Sequence, residues 1–187
     1  MAIPEIRTAR LLLRGWRDDD RAAFAAINAD AAVMEHFPAT LGRAASDRLV
    51  DAVVDGWAAN GFGLWAVERV DDRRFLGFTG LSRPSFEAHF TPAVEVGWRL
   101  ARDAWGQGYA TEAARAALAI GFETAGLDEI VSFTVPANER SRRVMERIGM
   151  TRDPADDFDH PRLPEGHRLR RHVLYRLSRE RWSNEAD

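Results

Sequence analysis

A glycine-bearing loop and the helix that follows it form the part of the sequence best suited to chemistry. Residues 93–118 read AVEVGWRLARDAWGQGYATEAARAAL, a predicted strand that leads through Gly106 and Gly108 into a predicted helix. The first turn of a helix leaves backbone N–H groups without partners and carries a partial positive charge. Because glycine has no side chain, an anion can approach such a loop closely. The spacing therefore predicts a site for a phosphate or pyrophosphate group.

Two other kinds of phosphate loop fit this segment less well. The NTPase loop requires a lysine followed by serine or threonine, and the chain contains no lysine. The pattern from Gly106 through Gly108 to Thr111 matches only half of a dinucleotide-binding fingerprint, although Asp128 lies about twenty residues further on. A nucleotide-dependent oxidoreductase is therefore kept as an alternative.

The composition excludes several reaction types. The chain has 187 residues, no cysteine, 29 acidic residues and 26 basic ones, all arginine, for a net charge of −3. Without cysteine and lysine, neither a protein thioester nor a Schiff base can form. The balanced charge argues against direct nucleic-acid binding, and no stretch has the length of a signal peptide or a membrane span. We therefore expect a cytoplasmic protein with no membrane association.

The hydrophobic pattern predicts a mixed α/β sheet with helices on both faces, formed by residues 1–187 as a single domain. Small residues recur at helical spacing between Ala110 and Phe122, so this helix must lie close to the sheet. Helix caps are expected at Asp18–Asp20, and a β-bulge at Gly97. The expected strands are residues 9–16, 63–70, 75–82, 93–101, 129–135 and 171–177, with a short one near Met150, and the expected helices include residues 44–59 and one after Asn138.

Three blocks of the sequence together resemble one protein family. Residues 105–113, WGQGYATEA, look like the acetyl-CoA pyrophosphate loop of the GNAT N-acetyltransferases. Residues 6–14 resemble the opening strand of the branch that contains the ribosomal-protein N-terminal acetyltransferases, and residues 138–150 resemble a later motif of that branch. The resemblance implies a mostly antiparallel central sheet of six to seven strands, splayed at the cofactor site, and acetyl-CoA as cosubstrate.

The same resemblance implies which residues contact acetyl-CoA. The backbone N–H groups from Gln107 to Ala110 would bind the pyrophosphate, with the Thr111 hydroxyl nearby. Trp105 stands where the family commonly has glutamine or arginine, and it is expected to cover the cofactor. The remaining cofactor-binding residues implied are Trp98, Arg99, Leu100, Gly106, Gly108, Tyr109, Asn138 and Ser141.

Two side chains are candidates for catalysis of direct attack by an amine on the thioester. Glu95 corresponds to the family's frequent central-strand glutamate and could accept a proton from the amine, directly or through water, or could simply pair with an arginine. Many relatives carry a tyrosine that protonates the departing thiolate, but the matching residue here is Met145. Ser141 is the remaining hydroxyl on that helix face, where it could instead support the helix cap. Asn138 could likewise be only an N-cap.

The acceptor pocket is expected between the loop that joins the first two helices and the loop before the last strand. The candidate residues there are His36, Phe37, Asp157, Phe158 and His160. An acidic cluster in this position could attract a cationic amine or could be a solvated turn. The spacing of the histidines matches no common metal motif, so no metal is predicted, and His172 is expected to be an ordinary strand histidine.

The sequence thus predicts an acetyl-CoA-dependent N-acetyltransferase. Its acceptor would be a protein N-terminal α-amine or a small-molecule amine, and both substrates would bind in a ternary complex, since no cysteine can carry the acetyl group. A non-catalytic acyl-CoA-binding or interaction module with the same fold is the alternative, and a homodimer is possible.

Overall fold

The computed structural model describes residues 3–186, which form a nine-stranded sheet and five α-helices. The strands are β1 (Ile6–Arg7), β2 (Leu11–Arg14), β3 (Leu64–Arg69), β4 (Phe75–Ser82), β5 (Glu95–Leu100), β6 (Glu129–Thr134), β7 (Thr151–Arg152), β8 (Phe158–Asp159) and β9 (Arg171–Ser178). The helices are α1 (Asp20–Ala29), α2 (Arg43–Asn60), α3 (Tyr109–Ala119), α4 (Glu139–Arg147) and α5 (Arg179–Ala186). A π-helical turn, Ile120–Thr124, continues α3. None of the helices within residues 3–186 has the length and apolar character needed to cross a membrane.

The sheet has the order β1-β2-β3-β4-β5-β6-β9-β7, with β8 paired to β9. Every pairing is antiparallel except that of β5 with β6. The mixed, mostly antiparallel fold is therefore confirmed. The strand count exceeds the expected six to seven because β1 and β8 contain only two residues each, too few to produce a hydrophobic period in the sequence, whereas β7 is the short strand expected near Met150.

The two central strands diverge, as expected. Strand β5 is paired with β6 at a single register position, Glu95 opposite Val131, where the Val131 N–H donates to the Val94 carbonyl at 2.8 Å. On its other side β5 pairs with β4 along its whole length. The gap between β5 and β6 therefore widens from Glu95 onward.

The expected bulge at Gly97 is wrong. Gly97 lies opposite Gly80 in an uninterrupted β4–β5 register, and the register shift lies between Val67 and Glu68 on β3. A Cβ atom at Gly97 would lie 3.9 Å from the Glu95 carboxyl. This glycine therefore leaves space beside the carboxyl group and does not interrupt pairing.

The helices cover both faces of the sheet. Phe24 of α1 packs on Phe75 and Phe78, whereas the small residues of α3 pack with Leu76 and Val96 on the opposite face. The predicted small-residue stripe is confirmed: a Cβ at Gly121 would lie 2.6 Å from the Ile130 side chain. Close packing of this kind places the start of α3 directly beside the end of β5.

The predicted aspartate caps of α1 are wrong. Asp19 holds the cap position without a side-chain hydrogen bond, and Asp20 lies inside the helix. The Asp20 carboxylate instead accepts hydrogen bonds from Arg14 at 2.7 and 2.8 Å. A buried arginine requires a counter-charge, and this requirement outweighs the local preference for capping.

Candidate active site

A cavity of about 800 Å³ occupies the gap between β5 and β6. The loop between α1 and α2, the first turn of α3 and one face of α4 complete its wall, together with residues 160–172. It contains most of the residues expected at the site. Those that line it are Glu95, Trp98, Arg99, Leu100, Trp105, Gly106, Gly108, Tyr109, Ala110, Thr111, Asn138, Ser141, His36, Phe37 and His160.

Glu95 lies at the narrow end of the gap, where the two strands are still paired. Burial raises the pKa of its carboxyl group to about 8, because the charged form loses hydration in the protein interior. Within residues 3–186 no arginine forms an ion pair with Glu95, so the pairing weighed as an alternative is absent from the described part of the chain. The group is therefore suited to exchange a proton near neutral pH.

The loop before α3 has the backbone geometry of an anion site. Gly106 and Gly108 have φ angles of 74° and 81°, in the left-handed region that favours glycine. The first helical hydrogen bond of α3 runs from the Glu112 N–H to the Gly108 carbonyl at 3.0 Å. The N–H groups of Tyr109, Ala110 and Thr111 precede it and have no carbonyl partner within the helix. They are available to a ligand.

Thr111 adds a side-chain donor at the same place. Its hydroxyl oxygen is buried and has no hydrogen-bond partner among the described residues. A buried hydroxyl without a partner is costly, and a phosphate oxygen at the start of α3 would supply one. The residues present therefore fit the pyrophosphate of acetyl-CoA.

Contacts from the turn between β1 and β2 hold this loop in place, which the sequence did not suggest. The Arg10 guanidinium pairs with Glu112 at 2.7 Å and donates to the Gln107 carbonyl at 2.9 Å. Although burial acts to raise it, hydrogen bonds from Thr8 and Arg10 lower the pKa of Glu112. Gln107 itself lies outside the cavity wall, and its side chain donates to the Asp103 carbonyl at 3.0 Å.

Trp105 closes one side of the cavity. Its indole N–H donates to the Leu100 carbonyl at 3.0 Å, and the Arg140 guanidinium lies 4.8 Å from the centre of its ring. These contacts fix the indole between β5 and α4. The expectation that Trp105 covers the cofactor remains a prediction.

Helix α4 presents Ser141 and Met145 to the cavity. Asn138 caps this helix: its side chain accepts from the Ser141 N–H at 3.2 Å and donates to the Thr134 hydroxyl at 3.0 Å. The cap interpretation of Asn138 is thus confirmed, while a contact with the cofactor remains a prediction. Tyr175, one of the chain's two tyrosines, donates its hydroxyl to Glu146. It is absent from the cavity wall.

The expected acceptor residues separate into two groups. His36, Phe37 and His160 line the cavity, but Asp157 and Phe158 do not. Asp157 pairs with Arg152, and hydrogen bonding to that arginine lowers its pKa. Phe158 packs in an aromatic cluster with Phe86, Phe90 and Phe133. Arginines also pair with the neighbouring aspartates, Asp156 and Asp159.

The sequence analysis missed the partner of Arg99 and the position of His172 in the cavity wall. Arg99 points towards α1 and donates to Asn28 at 2.6 Å. His172 of β9 was expected to be an ordinary strand residue, but it lines the cavity, and burial lowers its pKa. Asn28 is a polar residue beside Ile27 on the buried face of α1, and this position was the one local hint of its contact with Arg99.

Comparisons with known proteins agree with this geometry. The family model described as acetyltransferase (GNAT) domain matches residues 10–151. The chain is 33% identical over 144 residues to the protein YkkB of Bacillus subtilis, covering 76% of this chain and 83% of that protein. It is 31% identical over 196 residues to the FsC-acetyl coenzyme A-N(2)-transacetylase of Aspergillus fumigatus, covering 97% of this chain and 79% of that protein.

Solved structures show the same fold. A GNAT-family acetyltransferase from Bacillus anthracis superposes with a TM-score of 0.78 at 25% identity, covering 95% of this chain and 99% of that one. Ribosomal-protein acetyltransferases from two Vibrio species also share the fold, at 17% and 16% identity.

Proposed function

Since the chain belongs to the GNAT acetyltransferase family and uses acetyl-CoA as its acetyl donor, we propose that it is an N-acetyltransferase that passes the acetyl group directly to an amine. The chain would act as one domain over residues 1–187. The name of the Aspergillus relative, an N(2)-transacetylase, supports nitrogen as the acceptor atom. The carboxyl group of Glu95 in the cavity is the observation that carries the proposal.

In the proposed reaction the amine nitrogen attacks the thioester carbonyl. A carbon–nitrogen bond forms, the carbon–sulfur bond breaks, and free CoA leaves as the thiolate or thiol. An ammonium group cannot attack, so its proton must first leave the nitrogen. Glu95 in its ionised form accepts this proton, directly or through a water molecule.

The departing thiolate needs a proton or a hydrogen-bond donor. Met145 cannot supply one, and Tyr109 directs its ring towards Arg10, whose guanidinium lies 4.7 Å from the ring centre. Ser141 lines the cavity and has a hydroxyl group, so we assign the donor role to it. Both substrates are bound together at this stage, in a ternary complex.

Release of free CoA tests the proposal. The protein is incubated with acetyl-CoA and a panel of peptides and small amines, and Glu95→Gln is compared with the wild type. General-base catalysis contributes about 10²-fold or more, so the variant should lose at least that factor in kcat. Glu129→Gln is the matched control. It is the same substitution on the neighbouring strand β6, but Glu129 pairs with Arg176 and lies outside the cavity wall, so this variant should keep its activity.

Three outcomes would contradict the proposal. Full activity of Glu95→Gln would remove Glu95 from the mechanism. Parallel double-reciprocal lines in initial-rate kinetics would exclude the ternary complex. CoA binding without turnover of any amine would favour the non-catalytic binding module.

A further inference from the structure

Arg99 is a partly buried cation without a carboxylate partner in the described part of the chain. Its Nη1 donates to the neutral Asn28 amide oxygen at 2.6 Å, and its Nε is buried with no partner. Burial lowers the pKa of this guanidinium to about 10, which leaves it charged at neutral pH. A guanidinium charge that is partly removed from water is unfavourable unless an anion pairs with it.

Arg14 shows how this fold ordinarily satisfies a buried arginine. Its guanidinium contacts Asp20 and Glu68, each at 2.7 Å, and all three side chains are almost fully buried. Arg99 receives no such pair of carboxylates from residues 3–186. The difference is that Arg99 lines the cavity, where a ligand can supply the missing charge.

The Arg99 guanidinium is also held in a fixed position. Asn28, which is fully buried, donates to the Ser46 hydroxyl at 2.9 Å and accepts from Arg99. The guanidinium carbon lies 4.2 Å from the centre of the Phe37 ring, which forms part of the cavity wall. A planar guanidinium held in this way is suited to bind a carboxylate.

Arginines act electrostatically on two histidines of the cavity wall, and these positive charges favour an anion in the cavity. Burial lowers the pKa of His36; the charge of Glu35 acts to raise it, and the positive charges of Arg168 and Arg140 act to lower it. Burial and the positive charge of Arg162 likewise lower the pKa of His160. Glu95 is largely protonated at neutral pH, since its pKa is about 8. Glu35, the other carboxyl group in the wall, has a side chain that is 60% exposed.

We propose that the acceptor carries a carboxylate group in addition to its amine, and that Arg99 binds this carboxylate while the amine lies near Glu95. The inference rests on the proposed function and names its substrate class. Residues 95 and 99 share one face of β5, and four residues of a strand span about 13 Å. The carboxylate and the amine of the acceptor are therefore separated by several bonds.

Matched pairs of acceptors test the proposal. The probes are ω-amino carboxylic acids of increasing chain length, each assayed beside its carboxamide. The wild type should prefer the acid by about tenfold or more in kcat/KM, since a charge-assisted hydrogen bond is considerably stronger than a neutral one. Arg99→Met should bring the ratio of acid to amide close to one, and Arg99→Lys should restore it in part. Arg102→Met, an exposed arginine three residues on, should leave the ratio unchanged.

Equal use of acid and amide by the wild type would overturn the proposal. An equal decrease of kcat/KM for acid and carboxamide in Arg99→Met would also overturn it, because a purely structural role of Arg99 at its contact with Phe37 would have that effect. An increased KM for acetyl-CoA with an unchanged ratio would place Arg99 at the cofactor instead.

Calorimetric titration of the same acids into the CoA-saturated protein separates this proposal from the proposed function. Arg99-dependent binding of the acids without acetylation of any amine would contradict the N-acetyltransferase function and keep the anion site. Acetylation of amines without any preference for the acid would support the N-acetyltransferase function and contradict the anion site at Arg99.

Discussion

Glu95 lies opposite Val131 at the register position where β5 and β6 are still paired, and the strands separate beyond it. The carboxyl group is therefore at the vertex of the cavity, where burial raises its pKa to about 8. Direct acetyl transfer requires the ionised form, so kcat should rise tenfold per pH unit below about pH 8 and level off above it. A pH profile at saturating substrates measures this, and Glu95→Gln should have low activity without the same rise.

The same carboxyl group makes stability depend on pH. Its pKa in the folded protein lies above the ordinary value of 4.5, so between these values the folded state keeps a proton that the unfolded state releases. The free energy of unfolding should therefore fall as the pH rises through this range. Glu95→Gln removes the effect, and its stability relative to the wild type should grow by on the order of 1 kcal/mol or more from pH 5 to pH 8. Urea unfolding at both pH values checks this, and a constant difference would argue against the raised pKa.

Thr111 provides a test of the cofactor site that does not depend on turnover. Its buried hydroxyl has no partner in the described protein, so Thr111→Val should leave the free energy of unfolding unchanged or raise it by about 1 kcal/mol. If the hydroxyl binds a phosphate oxygen of CoA, the same variant should weaken CoA binding by about five- to tenfold. Calorimetry with CoA measures the second effect. Thr111→Ser keeps the hydroxyl and should bind normally, and unchanged affinity in Thr111→Val would exclude the contact.

The sequence predicted those features of the site that depend on local pattern. The hydrophobic pattern predicted the strand at residues 93–101 that carries Glu95, and the glycine spacing identified the loop at Gly106 and Gly108. Both are confirmed because a strand's two-residue period and a left-handed glycine are properties of short segments.

What the sequence could not predict are contacts between distant segments. Arg10 meets Glu112 across 102 residues and Arg99 meets Asn28 across 71. With 26 arginines in the chain, no local rule chooses which one pairs with a given acid. The same ambiguity explains Asp157, which pairs with Arg152 and lies outside the cavity wall.

The buried cluster of Arg14, Asp20 and Glu68 should be important for stability, because it joins β2, α1 and β3. Arg14→Met leaves the buried Asp20 carboxylate without its cation and leaves Glu68 paired only with the exposed Arg17, and removal of one member of a buried ion pair costs about 3–5 kcal/mol. Urea unfolding should show a decrease of that size in the free energy of unfolding. Arg14→Lys keeps the charge but cannot donate hydrogen bonds to both carboxylates in the same way, so its decrease should be smaller.

Arg43→Met removes an exposed ion pair with Asp47 and serves as the control, with an expected change below about 0.5 kcal/mol. Equal effects of Arg14→Met and Arg43→Met would contradict this role, whereas a variant Arg14→Met that does not fold, beside a folded Arg14→Lys, would support it.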